Sequence, residues 1–117
     1  MARNEKRRAA RVPVSMNVEG FAGSNTLGFG YAQNISESGL SVDAQALEDR
    51  RPLPGVGSKI RMRFKIPNAD VVVTAQGKVV RVDLGATSPL FALEFVEMEP
   101  DFREAIRRYV EGVSKIR

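Results

Sequence analysis

Apolar and polar residues alternate along most of this chain and change rhythm once, near its C-terminal end. Val12, Val14, Met16 and Val18 are separated by smaller or polar residues, which predicts a strand entered through Pro13. Gly20 to Thr26, with Gly23, Ser24 and Asn25, reads as a loop. Leu27, Phe29 and Tyr31 restore the period of two, and the segment around Asn34 turns the chain into a strand carrying Leu40 and Val42. Residues 44 to 58 are irregular: Ala44 to Arg50 suits a short helical turn, which Pro52, Pro54, Gly55 and Gly57 then break. The clearest alternation follows, with Ile60, Met62, Phe64 and Ile66 on one face and Lys59, Arg61, Arg63 and Lys65 on the other. One face must be buried and the other wet. Val71 to Asp83 and Leu90 to Glu97 supply two more strands, the first long enough to bend at Gly77. Six strands with no helix between them predict a mainly β fold, a closed or nearly closed six-stranded antiparallel barrel.

The last segment repeats at three- and four-residue intervals. Phe102, Ala105, Ile106, Tyr109, Val110, Val113 and Ile116 form one apolar stripe, which predicts a helix over about residues 100–115. Pro100 suits its first turn, Asp101 and Glu104 lie where the helix dipole favours negative charge, and Arg107, Arg108 and Lys115 lie toward the other end. The stripe either packs on the barrel or meets a partner or second copy. Gly112 is poorly placed for helix stability and marks either a close approach or the start of fraying.

With 117 residues, 43% of them hydrophobic, the chain is one domain able to bury a core without staples. It contains neither cysteine nor histidine, which excludes disulfides, the usual zinc and copper ligands, and any Ser-His-Asp or Cys-His mechanism. No apolar run approaches the roughly 20 residues that span a bilayer, and the charged N-terminus does not resemble a signal peptide. A cytoplasmic protein without membrane insertion is expected. The net charge of +4 is unevenly placed. Arg3, Lys6, Arg7, Arg8 and Arg11 face only Glu5 within residues 1–11, and the rest of the chain carries as many acidic as basic side chains. Residues 1–11 therefore read as a flexible basic arm and residues 12–117 as the folded domain.

Two short motifs carry chemistry. Lys6-Arg7-Arg8-Ala9-Ala10-Arg11 concentrates cations, and Asn34-Ile35-Ser36-Glu37-Ser38-Gly39 offers an amide, two hydroxyls and a glycine in a turn. Arginine's planar fork grips a phosphate or the N7/O6 edge of guanine with two parallel hydrogen bonds and can stack on a base, so the pair describes a site for something anionic and planar. Other constellations carry less. Gly55-Val56-Gly57-Ser58-Lys59 lacks the order of a phosphate loop and leads into a strand, so it is a turn; Gly28-Phe29-Gly30 lacks the third glycine of a dinucleotide fold. Glu94, Glu97, Glu99 and Asp101 do not have calcium-loop spacing, and no metal site is assigned. The Lys59 to Lys65 face lacks interleaved aromatics, so nucleic acid is not the expected partner. No acid/base pair stands out from surface carboxylates, so no catalytic residue and no enzyme class are assigned.

The order RRxxxR, a β-rich stretch, then [DN]xSxxG resembles the PilZ domain, a bacterial receptor for the second messenger cyclic di-GMP. The likeness extends through Arg11-Val12-Pro13-Val14, Pro54-Gly55-Val56-Gly57 and Gly77-Lys78-Val79-Val80-Arg81-Val82. The resemblance implies a PilZ-like barrel whose ligand residues are Lys6, Arg7, Arg8, Arg11, Asn34, Ser36 and Gly39. Arg7 and Arg11 would take guanine edges and phosphates, with Lys6 and Arg8 adding charge. Asn34 would meet a guanine edge, Ser36 would bond a phosphate or hold the turn, and Gly39 would permit a conformation or approach that a Cβ obstructs. Lys6 stands where the pattern has arginine, and Asn34 is its uncharged option. The implied role is a non-catalytic receptor that needs no cofactor, changes shape on binding cyclic di-GMP and signals to a protein partner, for example in motility, biofilm or exopolysaccharide control. It would act as a monomer or a ligand-dependent dimer. Two alternatives are a PilZ-like adaptor of pilus or flagellar machinery with weak or no nucleotide binding, and a basic nucleic-acid-binding barrel.

Overall fold

The structure, a computed structural model, describes residues 11–22, 25–26, 30–44, 54–85 and 89–116. Seven strands precede one helix: β1 Val12–Ala22, β2 Asn25–Thr26, β3 Gly30–Ile35, β4 Gly39–Asp43, β5 Lys59–Lys65, β6 Val72–Asp83, β7 Leu90–Met98 and α1 Pro100–Ile116. All pairings are antiparallel, in the order β2-β1-β3-β4-β7-β6-β5, and β1 also pairs with β5. That last pairing closes β1, β3, β4, β7, β6 and β5 into the expected six-strand barrel, with β2 a two-residue addition at the end of β1.

Closure depends on the length of β1. The strand continues through Gly20, Phe21 and Ala22, where a loop was expected, because its second half leaves β3 and pairs with β5: Val18 faces Phe64, Gly20 faces Met62 and Phe21 faces Arg61. Cross-strand partners Glu19 and Arg63 form an ion pair at 2.6 Å on the outer face. Phe21 lies 5.6 Å from both the Arg61 and Arg63 guanidinium carbons. The basic face of β5 is thus exposed, as its alternation requires, but an aromatic from the neighbouring strand does reach it.

The inward residues build one core, in which Phe91, Ile35, Leu40, Ile60, Met62 and Leu93 are among the largest fully buried side chains. In β3 the inward positions are Ala32 and Ile35, three apart, and Tyr31 is exposed. A register shift between Ala32 and Asn34 accounts for this departure from a period of two. Leu27, Phe29 and residues 45–50 lie outside the described residues. Between β6 and β7 one register shift falls at Gln76/Gly77, where Val96 of β7 is the extra residue, and a second between Val79 and Arg81, where Val80 of β6 is. The Pro54 to Ser58 segment is a turn, with Gly57 at φ 94° and the Ser58 N–H donating to Gly55 O at 3.0 Å.

Helix α1 packs on the barrel through Ile106 and Val110, which are buried, with Phe102, Ala105, Tyr109 and Val113 half-buried beside them. Gly112 has open space where a Cβ would stand, so close approach does not explain it. The hydrogen bond from Arg107, followed by that from Arg108, holds the Glu104 carboxyl below the usual carboxylate range, and Glu104 in turn raises Arg107. No described helix is long and apolar enough to cross a membrane.

Candidate functional site

Arg11, the last residue of the first motif, meets the second motif where β1 begins and β3 ends. Val12 pairs with Ile35 and Pro13 with Asn34, so Arg11, which leads into β1, arrives beside Asn34. Its Nη1 donates to Asn34 Oδ1 at 2.5 Å on an exposed surface. Arginine has only donors to offer, so this contact occupies the amide oxygen and leaves the Asn34 NH₂ and the remaining guanidinium N–H groups as donors at the exposed surface. Asn34 itself is the penultimate residue of β3; the turn begins after Ile35.

That turn, Ser36 to Gly39, is locked from three sides. Internally, the Ser36 N–H donates to Gly39 O at 2.8 Å, the Ser38 N–H donates to Ser36 Oγ at 3.1 Å, and the two hydroxyls lie 3.0 Å apart. Ser36 is only 1% exposed and its hydroxyl accepts within the turn, while Ser38 is exposed. From β7, the Phe95 N–H donates to Ser38 O at 2.8 Å. From α1, Arg103 Nη1 donates to Glu37 O at 2.9 Å across the domain.

Gly39 answers a packing demand. A Cβ built on it would stand 2.1 Å from Leu93 O, so β4 and β7 can pair at Gly39↔Glu94 only without a side chain there. Close approach, not a left-handed backbone, is what the position requires: its φ is not positive. Beside the turn lies a cleft of about 350 Å³ lined by Arg11, Ser38, Gly39, Val80, Leu93 and Glu94, together with Ala92. Its size lies within the ordinary range for a small-molecule site.

The residues expected from sequence thus divide. Arg11 and Asn34 come together; Ser36 and Gly39 build the turn that places Ser38; Lys6, Arg7 and Arg8 lie outside the described residues. Ser38, Val80, Glu94 and Arg103 were not singled out as site residues. Val80 had one signal, the run Val79-Val80-Arg81-Val82 in which alternation stumbles. Glu94 stands out in sequence only as one of four acidic residues without metal-loop spacing, and nothing local marks Arg103.

Comparison with known proteins then decides the family: the PilZ domain matches residues 5–112. The chain belongs to the PilZ domain family. No curated protein matches the sequence. The fold is similar to that of the inhibitor of motility MotI/DgrA of Bacillus subtilis, with TM-score 0.78 and 19% identity over 100% of this chain and 58% of that one. It is also similar to Escherichia coli YcgR in complex with c-di-GMP, with TM-score 0.74 and 14% identity over 95% of this chain and 47% of that one. The isolated PilZ domain of YcgR with c-di-GMP aligns at TM-score 0.71 and 13% identity, covering 95% of this chain and 93% of that domain. This PilZ chain therefore spans about half the length of the larger two proteins.

Proposed function

We propose that this PilZ domain is a receptor for cyclic di-GMP, bound between the basic arm and the cleft beside the Ser36 to Gly39 turn. The observation that carries the reading is the Arg11 to Asn34 hydrogen bond, which joins the two motifs at one exposed point. A dinucleotide with two phosphates and two guanines needs fixed cationic forks for the first and a donor and acceptor set for the second. Arg11 supplies the fork, with Arg7 as its counterpart in the arm and Lys6 and Arg8 as added charge. The Asn34 amide meets a guanine edge, and the Ser38 hydroxyl lies at the cleft. YcgR, a neighbour in fold, is a complex with c-di-GMP, which supports the choice of ligand.

The output is a change of shape read by a protein partner. The arm holds little apolar surface of its own, so ordering it over the nucleotide spends part of the binding energy on backbone entropy. A surface is covered or exposed when that happens, and a motility partner is the favoured reader, given the inhibitor of motility among the neighbours. The test is calorimetric titration with cyclic di-GMP, GTP and a DNA oligomer at two salt concentrations. Saturable binding of cyclic di-GMP alone is expected; tighter binding of the DNA, falling steeply with salt, would make the domain a nucleic-acid binder instead.

A further inference from the structure

Two residues of the cleft come from neither motif. Val80 is the extra residue of a bulge in β6: Val79 pairs with Leu93 and Arg81 with Ala92, so Val80 has no cross-strand partner of its own. Bulges re-aim a side chain, and here a large apolar one lines the cleft while 44% exposed. Glu94 lies across the cleft lining on β7, paired in register with Gly39 of the turn on one side and with Lys78 on the other. Its carboxylate is exposed, and among the described residues it makes no ion pair or hydrogen bond, not even with Lys78.

A free carboxylate repels an anionic ligand unless the ligand brings donors to it. The Watson–Crick edge of guanine does so, presenting N1–H and the N2 amino group side by side, and an ionised carboxylate is an acceptor through both oxygens. Adenine presents an acceptor, N1, at the same place and would be repelled. Val80 offers the apolar surface on which a purine face rests, and Arg11 in the same cleft answers the phosphate. Resting on the reading of this cleft as a cyclic di-GMP site, we infer that Glu94 reads the Watson–Crick edge of a guanine lying on Val80 and is the specificity-determining residue for guanine over adenine.

The experiment is calorimetric titration of the full chain and of its Glu94→Gln and Val80→Ala variants with cyclic di-GMP and with cyclic di-AMP, after thermal unfolding has established that each variant is folded. The wild type should prefer the guanine ligand. Glu94→Gln, which exchanges one acceptor oxygen for a donor, should weaken cyclic di-GMP binding by about 5- to 150-fold and leave cyclic di-AMP unchanged or tighter, so that the ratio collapses. Val80→Ala should weaken both ligands by a similar factor, because a purine face is common to the two. A Glu94→Gln variant that keeps the wild-type ratio, or loses both ligands alike as a residue that merely pairs with the arm would, overturns the inference and leaves the receptor reading standing. A wild type that binds neither ligand removes the receptor reading itself.

Discussion

Gly39→Ala separates what this position does for the barrel from what it does for a ligand. The added Cβ would stand 2.1 Å from Leu93 O, 3.1 Å from Leu93 C and 3.2 Å from Glu94 Cα. Ordinary carbon to oxygen contact begins near 3.3 Å, so β4 and β7 would have to part by about 1 Å. Every atom in the way is backbone, so no rotamer change relieves the clash. Overpacking of this kind costs about 1–3 kcal/mol, and loosening a ladder hydrogen bond adds about 1 kcal/mol. With roughly 4 °C of melting temperature per kcal/mol for a domain of this size, Tm should fall by about 8–16 °C. The internal control is Gly112→Ala, where nothing stands within 4 Å of the new Cβ and the helix gains about 0.5–1 kcal/mol; its Tm should rise by a few degrees. Thermal unfolding followed by circular dichroism reads both. A Gly39→Ala protein melting within a degree of wild type would refute the claim that strand approach dictates this glycine.

Arg11→Ala should weaken cyclic di-GMP binding by roughly 2–5 kcal/mol, because ligand acceptors are left unpaired, whereas Arg3→Ala should change little; equal losses in a calorimetric comparison would reduce the arm to diffuse charge. Asn34→Asp keeps an acceptor for Arg11 but exchanges the NH₂ donor for an acceptor oxygen, so the same titration should show weaker binding if that NH₂ meets the ligand; binding kept or improved would mean that guanine N–H donors face this side chain. Deleting residues 2–8 should leave unfolding of the unliganded protein nearly unchanged and abolish nucleotide binding, an outcome that differential scanning calorimetry with and without ligand resolves. Glu104 has its folded pKa depressed by Arg107 and Arg108, so its small contribution to α1 is present above the ordinary glutamate pKa of about 4.3 and is lost as pH falls below it. Glu104→Gln should therefore flatten part of the acid limb of a stability profile measured by chemical denaturation between pH 3 and pH 7.

How much was legible in the sequence follows from how local each signal is. The seven-residue alternation of β5 is complete in itself, and all of its apolar positions are buried. The stripe of α1 is equally local, and it lands on Ile106 and Val110. The end of β1 was misread because Gly20 and its neighbours look like a loop, and only pairing with a strand some 40 residues later makes them strand. Bulges hide for a related reason. Gln33, which shifts the inward phase of β3 away from Tyr31, and Val80 in β6 are extra residues against a partner strand one residue shorter there, a fact carried by neither segment alone. At the site, Arg11 and Asn34 could be named because the motifs are contiguous, while Glu94 and Arg103 reach the turn from β7 and α1 through contacts distant in sequence.

The central claim is that both motifs converge on one cleft and hold cyclic di-GMP there. The direct measurement is a two-dimensional amide NMR titration of the labelled full chain with cyclic di-GMP. Saturable shifts are expected at Arg11, Asn34, Ser38, Gly39 and Glu94, with residues 4–10 changing in the same titration step. Shifts confined instead to the Lys59–Lys65 face of β5, or no shifts at saturating nucleotide, would contradict that claim.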